Sequence, residues 1–120
     1  MLNFLNRGGS AVKSIAPAEA VARVADGTLT LLDIRDPSEQ KMTGTAEGAV
    51  SIPMAAFRMK VDPSSPERDA RLDPGKPVAL YCASGARSGM AAQMMAQMGY
   101  REVYNLGGLH HWQGGGGRVV

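Results

Sequence analysis

Two apolar runs bounded by polar or turn-forming positions frame this chain. Leu29–Ile34 (L-T-L-L-D-I) and Val78–Tyr81 (V-A-L-Y) lack the alternation of a half-exposed strand. Both therefore read as strands covered on two faces. Shorter strands can form around Val12 to Ile15, over Gly48–Pro53 until proline cuts the run, and over Val103–Asn105. Helical stretches fall between them. Pro17 suits a first helical position, and the good helix formers of Ala18–Ala25 end before Gly27. Asp36-Pro37-Ser38-Glu39 reads as a helix start, with Asp36 as cap, Pro37 at the first position and Glu39 reaching back, and Gly44 ends that helix. Further helices are expected over Met54–Val61 and over Ser88–Met98, where Ser88 can cap and Gly99 lies just past the end. Leu109–Gln113 makes one helical turn.

Asp62–Pro77 holds four of the seven prolines and mixed charge, so it reads as a solvated loop with at most one helical turn. Residues 1–12 show no period and are expected to be a flexible lead-in to a single domain over residues 13–120. Strands alternating with helices imply an α/β domain, a central parallel sheet of about five short strands flanked by helices on both faces.

Composition narrows the classes. With 44% apolar and 20% charged residues in 120, the chain is globular and long enough for one core. The formal charge of +2 is small and the basic residues are scattered, which argues against nucleic acid as a partner. No apolar run approaches the ~20 residues of a membrane span. The opening M-L-N-F-L-N-R-G-G-S lacks the basic and long apolar regions of a signal peptide. A single cysteine, Cys82, leaves no internal disulfide, as in a reducing compartment, and the expected location is cytoplasmic.

That cysteine sits in Y-C-A-S-G-A-R-S-G, Tyr81 to Gly89, between a strand and a helix. Ligands of an open α/β sheet collect beyond the carboxyl ends of its strands. The segment Ala83–Arg87 must turn sharply, and Gly85 relieves the turn. Such a loop can aim backbone N–H groups inward as an anion nest at a helix N-terminus. Those donors, the helix dipole and Arg87 would favour the thiolate, and each unit of lowered pKa needs only ~1.4 kcal/mol. The residues fit a nucleophile. They fit equally a buried small hydrophobe followed by an ordinary turn and cap.

C-A-S-G-A-R-S resembles the active-site loop of rhodanese-type sulfurtransferases, and three further segments agree in order. L-L-D-I-R-D-P-S-E (Leu31–Glu39) is similar to the family's strand ending in aspartate–x–arginine with a glutamate beyond. G-T-A-E-G-A-V-S-I-P (Gly44–Pro53) is similar to its glycine–histidine–x–x–glycine–alanine…isoleucine–proline segment. G-Y-R-E-V-Y-N-L-G-G-L-H-H-W (Gly99–Trp112) resembles its closing strand and tryptophan turn. The resemblance implies a single rhodanese domain acting as a thiosulfate sulfurtransferase, with Cys82 the sulfur carrier. The thiolate would take the outer sulfur of thiosulfate or a persulfide and pass it to a thiol or cyanide. The loop residues Ala83, Ser84, Gly85, Ala86, Arg87 and Ser88 would bind the transferred sulfur. No metal or organic cofactor is implied. The partners are a small-molecule donor and an external acceptor, which could be a protein, with no nucleic acid and no membrane.

Asp33 and Arg35 end another strand, and in a parallel sheet that end also carries Cys82. Asp33 is expected to pair with Arg87 and brace the loop. The chain departs from the family at Thr45, where the histidine stands, and at Glu47, where the proline stands. The glycine-rich ending leaves a final strand open.

Two rivals remain. A non-catalytic rhodanese-like interaction module would share the fold, but such modules often lack the cysteine. A cysteine-based phosphatase or arsenate reductase would place five residues between cysteine and arginine, whereas Cys82 and Arg87 enclose four. His110 and His111 are expected at the surface, since adjacent helical residues diverge. Met90, Met94, Met95 and Met98, with Ala91, form a stripe expected to pack in the core, as is Trp112.

Overall fold

The computed structural model describes residues 11–120. The lead-in expected over residues 1–12 lies, as far as residue 10, outside the described residues. Val12 already opens the first strand. The strands are β1 (Val12–Ser14), β2 (Thr30–Asp33), β3 (Val50–Ser51), β4 (Val78–Cys82) and β5 (Val103–Gly108). The helices are α1 (Pro17–Ala25), α2 (Pro37–Thr43), α3 (Phe57–Val61), α4 (Ala86–Gln97) and α5 (Leu109–Gly114).

The five strands form one sheet in the order β1-β5-β4-β2-β3, and every neighbouring pair is parallel. This is the expected α/β architecture. β4 lies at the centre and is buried along its whole length. Its side chains alternate between two cores, which explains why its sequence has no polar period. On one face Leu80 and Cys82 pack with Leu32, with Phe57 and Val61 of α3, and with Ala91, Ala92 and Met95 of α4. On the other, Ala79 and Tyr81 pack with Leu31, with Ala20 of α1, and with Leu109 and Trp112 of α5. Each large side chain buried this way contributes about 1.5–3 kcal/mol.

The chain leaves β2 toward β3 on one side and leaves β4 toward β5 on the other. The carboxyl ends of these two adjacent central strands therefore flank the switch point where such sheets hold ligands. Asp33 ends β2 and Cys82 ends β4.

Several elements differ from expectation. The stretch Met54–Val61 divides into a 3₁₀ turn, Met54–Ala56, and the short α3. β5 continues past Asn105 to Gly108 through a register shift opposite Leu80 and Tyr81. The loop Asp62–Pro77 is anchored by Leu72, which lies in the core. Met95 is buried and Met94 and Met98 pack against the core, but Met90 points outward and is 67% exposed. The glycine-rich ending is ordered against the domain. Gly117 lies so close to the Trp112 indole that a Cβ there would collide with the ring. The indole Nε1–H donates to the Arg118 carbonyl at 2.8 Å, and Val120 exchanges backbone hydrogen bonds with Thr45 at 2.8 and 2.9 Å. Thr45, where the resembled family has histidine, thus begins a short antiparallel pairing with the C-terminus. Among the described residues no helix is long and apolar enough to cross a membrane.

Candidate active site

Cys82 is the last residue of β4 and is fully buried. The chain turns over Ala83–Gly85 and enters α4 at Ala86, two residues before the expected start. Gly85, not Ser88, precedes the helix, and its φ of 106° lies in the left-handed region. An L side chain rarely adopts that conformation, and a Cβ there would stand 3.2 Å from the Gly107 Cα. Glycine is therefore what permits a turn tight enough to fold back over the sulfur.

The fold-back supplies donors. Gly85 N–H donates to Cys82 Sγ at 3.0 Å, and Ser88 N–H does so at 3.4 Å. The Ser88 hydroxyl also lies 3.4 Å from the sulfur. Burial pushes the Cys82 thiol up. The Ser88 hydroxyl and the N–H groups of Ser88, Gly85 and Ser84 outweigh burial, and the thiol ends below its ordinary value. Ser88 is a ligand of the sulfur rather than a helix cap. Of the other loop residues, Ala83, Ser84 and Ala86 are exposed and Arg87 is partly so.

Arg87 does not meet Asp33 as expected. Its Nη1 and Nη2 donate at 2.8 Å each to the two carboxylate oxygens of Glu39 on α2. Glu39 Oε2 also accepts the Asp36 N–H at 3.0 Å, so the residue that reaches back at the start of α2 also braces the loop. The Arg87 hydrogen bonds, with that from Asp36, draw the Glu39 carboxyl down to about 2.

Asp33 instead serves the sheet. Arg35 donates to it through Nε at 3.1 Å, Nη2 at 2.9 Å and its own backbone N–H at 2.9 Å. The Tyr81 hydroxyl donates to Asp33 Oδ2 at 2.6 Å and accepts the Ala46 N–H at 2.9 Å. Arg35 also reaches the Thr43 hydroxyl and the Gly44 carbonyl, both at 2.7 Å. Burial raises the Asp33 carboxyl, but the bonds from Arg35 and Tyr81 overcome it and hold the group below its ordinary value. Asp33 and Arg35 therefore tie β2, β4 and the segment from Thr43 to Ala46 together, and their bonding partners do not include the sulfur.

Asn105 lies inside the Gly99–Trp112 segment but is not among the site residues expected from the sequence. It lies on β5 beside the loop, where its Nδ2 donates to the Gly85 carbonyl at 3.1 Å and its Oδ1 accepts the Ser88 hydroxyl at 2.7 Å. A polar residue in an otherwise apolar strand, next to the glycine pair, is the available signal. His110 and His111 are exposed, with rings 4.1 Å apart, and His111 Nδ1 accepts the Gly108 N–H at 2.9 Å at the start of α5.

The arrangement aims the Gly85 and Ser88 N–H groups and the Ser88 hydroxyl at the Cys82 sulfur, as suits an anionic sulfur. The Rhodanese-like domain family matches residues 16–114. The chain is 32% identical over 78 residues to the thiosulfate sulfurtransferase PspE of Escherichia coli, covering 65% of this chain and 68% of that protein. It is 38% identical over 97 residues to a tRNA uridine(34) hydroxylase of Teredinibacter turnerae, covering 78% of this chain but only 28% of the hydroxylase's length. Among solved structures, a rhodanese-related protein of Thermoplasma volcanium superposes with a TM-score of 0.71 at 30% identity, covering 90% of this chain and 97% of that one. A Rhodopseudomonas palustris protein of unknown function, described as a possible tyrosine phosphatase, superposes with a TM-score of 0.77 at 31% identity, covering 91% and 85%.

Proposed function

The chain belongs to the rhodanese-like family, and from that premise we propose that it is a sulfurtransferase working through a persulfide on Cys82. The observation that carries this reading is a lone thiol, at the carboxyl end of the central strand, accepting hydrogen bonds from Gly85 and Ser88. In the first half-reaction the Cys82 thiolate attacks the outer sulfur of thiosulfate or of an organic persulfide. An Sγ–S bond forms, the donor's S–S bond breaks, and sulfite or a thiolate leaves with the electron pair. In the second, an acceptor thiolate or cyanide attacks that outer sulfur, and Cys82 departs as the thiolate.

The loop's part is electrostatic. Donors fixed at the start of α4 meet negative charge on sulfur without reorganising, which is where preorganised N–H groups contribute most. Cys82 is the one cysteine of the sequence, so the acceptor thiol comes from outside it. The charged arms of Arg87 are taken up by Glu39. That commitment, with four residues between Cys82 and Arg87, favours sulfur over a phosphoryl group as the guest.

The test is to incubate the protein with thiosulfate, and separately with an organic persulfide, remove the excess and measure intact mass. Gain of one sulfur, lost on adding cyanide and absent in Cys82→Ser, is expected. An unmodified protein with every donor sinks the sulfurtransferase reading in favour of a binding module. Cys82-dependent hydrolysis of an aryl phosphate in its place favours the phosphatase.

A further inference from the structure

The Ser88 hydroxyl carries one hydrogen and faces three acceptors: Asn105 Oδ1 at 2.7 Å, Cys82 Sγ at 3.4 Å and the Gly107 carbonyl at 3.4 Å. The orientation of the Asn105 amide is set by its partners. Oδ1 accepts the Gly107 N–H at 3.1 Å as well as the Ser88 hydroxyl, while Nδ2 meets the Gly85 carbonyl, which only accepts. We propose that Asn105 is a positioning residue that competes with Cys82 for the Ser88 hydrogen, so that the sulfur receives this donor only when it is charged.

The distances set the order of preference. A separation of 2.7 Å is the usual O–H···O length, and a neutral sulfur is a weak acceptor. With Cys82 as the thiol, the hydrogen lies toward Asn105. Once the sulfur is anionic, the charge-assisted bond is roughly twice as strong as a neutral one, and the hydroxyl turns to Sγ. No covalent bond changes in this swing. The thiol proton goes to solvent and the Ser88 hydrogen stays on Ser88. Asn105 thereby holds the thiol less acidic than Ser88 alone would make it, and takes the hydrogen back when the charge leaves the sulfur. The functional meaning rests on the sulfurtransferase reading, but the ionisation of the thiol is measurable without any sulfur donor.

A purely structural Asn105 predicts the opposite. Its loss would loosen Gly85, whose N–H is the nearest donor to Sγ, and the thiol would become less acidic or stay unchanged. The experiment is the pH profile of Cys82 alkylation by iodoacetamide in the full chain, for wild type, Asn105→Ala, Ser88→Ala and the double variant. Thermal unfolding of each checks the fold, and Asn105→Leu, nearer in volume, replaces the alanine variant if that one does not fold. The expected result is a roughly threefold more acidic thiol in Asn105→Ala, and no such change when Ser88 is already alanine. An unchanged or less acidic thiol overturns the proposal, as does the same shift in both backgrounds. Failure of sulfur loading in the mass experiment leaves this outcome untouched, so the two readings fail separately.

Discussion

Arg87 and Glu39, 48 residues apart, meet in a two-pronged ion pair that joins the cysteine loop to α2. Both side chains are about one-third exposed, so solvent limits what the pair adds to stability to roughly 1 kcal/mol or less. Its larger consequence is for charge at the loop, because the cation that would favour a thiolate is neutralised by its partner. The two halves of the pair should therefore move Cys82 in opposite directions. Glu39→Gln leaves Arg87 uncompensated and makes the thiol more acidic, by about half a pH unit. Arg87→Ala leaves the Glu39 carboxylate and makes it less acidic. The alkylation pH profile reads both, and shifts of the same sign would refute the argument.

The same pair predicts an acid limb in stability. The Glu39 carboxyl is depressed to about 2 in the folded protein, against an ordinary 4.5. Its contribution is complete above the unfolded value and is lost as pH falls through the folded one. Chemical denaturation should show stability dropping between about pH 4.5 and 2, and Glu39→Gln should flatten part of that slope. The size of the effect is small because the group is partly exposed. A variant with the wild-type slope would show that the pair is absent in solution.

Gly85 bears the sharpest constraint in the loop. Its φ of 106°, and the 3.2 Å that would separate an added Cβ from Gly107, leave alanine strained from both sides. Gly85→Ala should cost about 1–2 kcal/mol from the left-handed conformation, more if the backbone cannot yield. It should also pull the nearest N–H away from Sγ and so make the thiol less acidic. A fall in melting temperature with an unchanged alkylation profile would separate the strain from the nest and reject the second half.

How far these features are legible follows from their range along the chain. β2 and β4 can be read because both faces of each strand are buried, which leaves a continuous apolar run. The start of α2 can be read because Asp36, Pro37 and Glu39 act within four positions. The start of α4 reads two residues late. Ser88 has the chemistry of a cap, and only the fold reveals that its hydroxyl faces Cys82 and Asn105 while Gly85 makes the turn. The end of β5 is also cut short, since Gly107 and Gly108 look like strand breakers when the sheet that carries them is not in view. The partner of Arg87 is the least accessible. Asp33 ends β2 and Glu39 lies six residues further on in α2, and choosing between them needs the fact that Arg35, two residues from Asp33, already takes up that carboxylate.

That prior claim yields the last prediction. Asp33 is fully buried and Arg35 almost so, and the Tyr81 hydroxyl completes the shell around the carboxylate. Removing Arg35 by Arg35→Ala strands a buried charge, which typically costs about 3–5 kcal/mol. The pH dependence should invert as well. In the wild type the Asp33 carboxyl lies below its ordinary value, so its contribution is present above about pH 4 and is lost on acidification. Without Arg35, burial is left with Tyr81 and one backbone N–H against it, and the folded carboxyl rises above the unfolded one. The variant then gains stability as pH falls through that raised value and loses it as pH rises. Asp33→Asn, uncharged at every pH, should lack this contribution and should also be less stable than the wild type at neutral pH, because it leaves the buried Arg35 guanidinium without its carboxylate. Denaturant midpoints from about pH 4 to 7 for the three proteins decide the matter. An Arg35→Ala protein that keeps the wild-type slope would mean the carboxylate reaches water once Arg35 is gone.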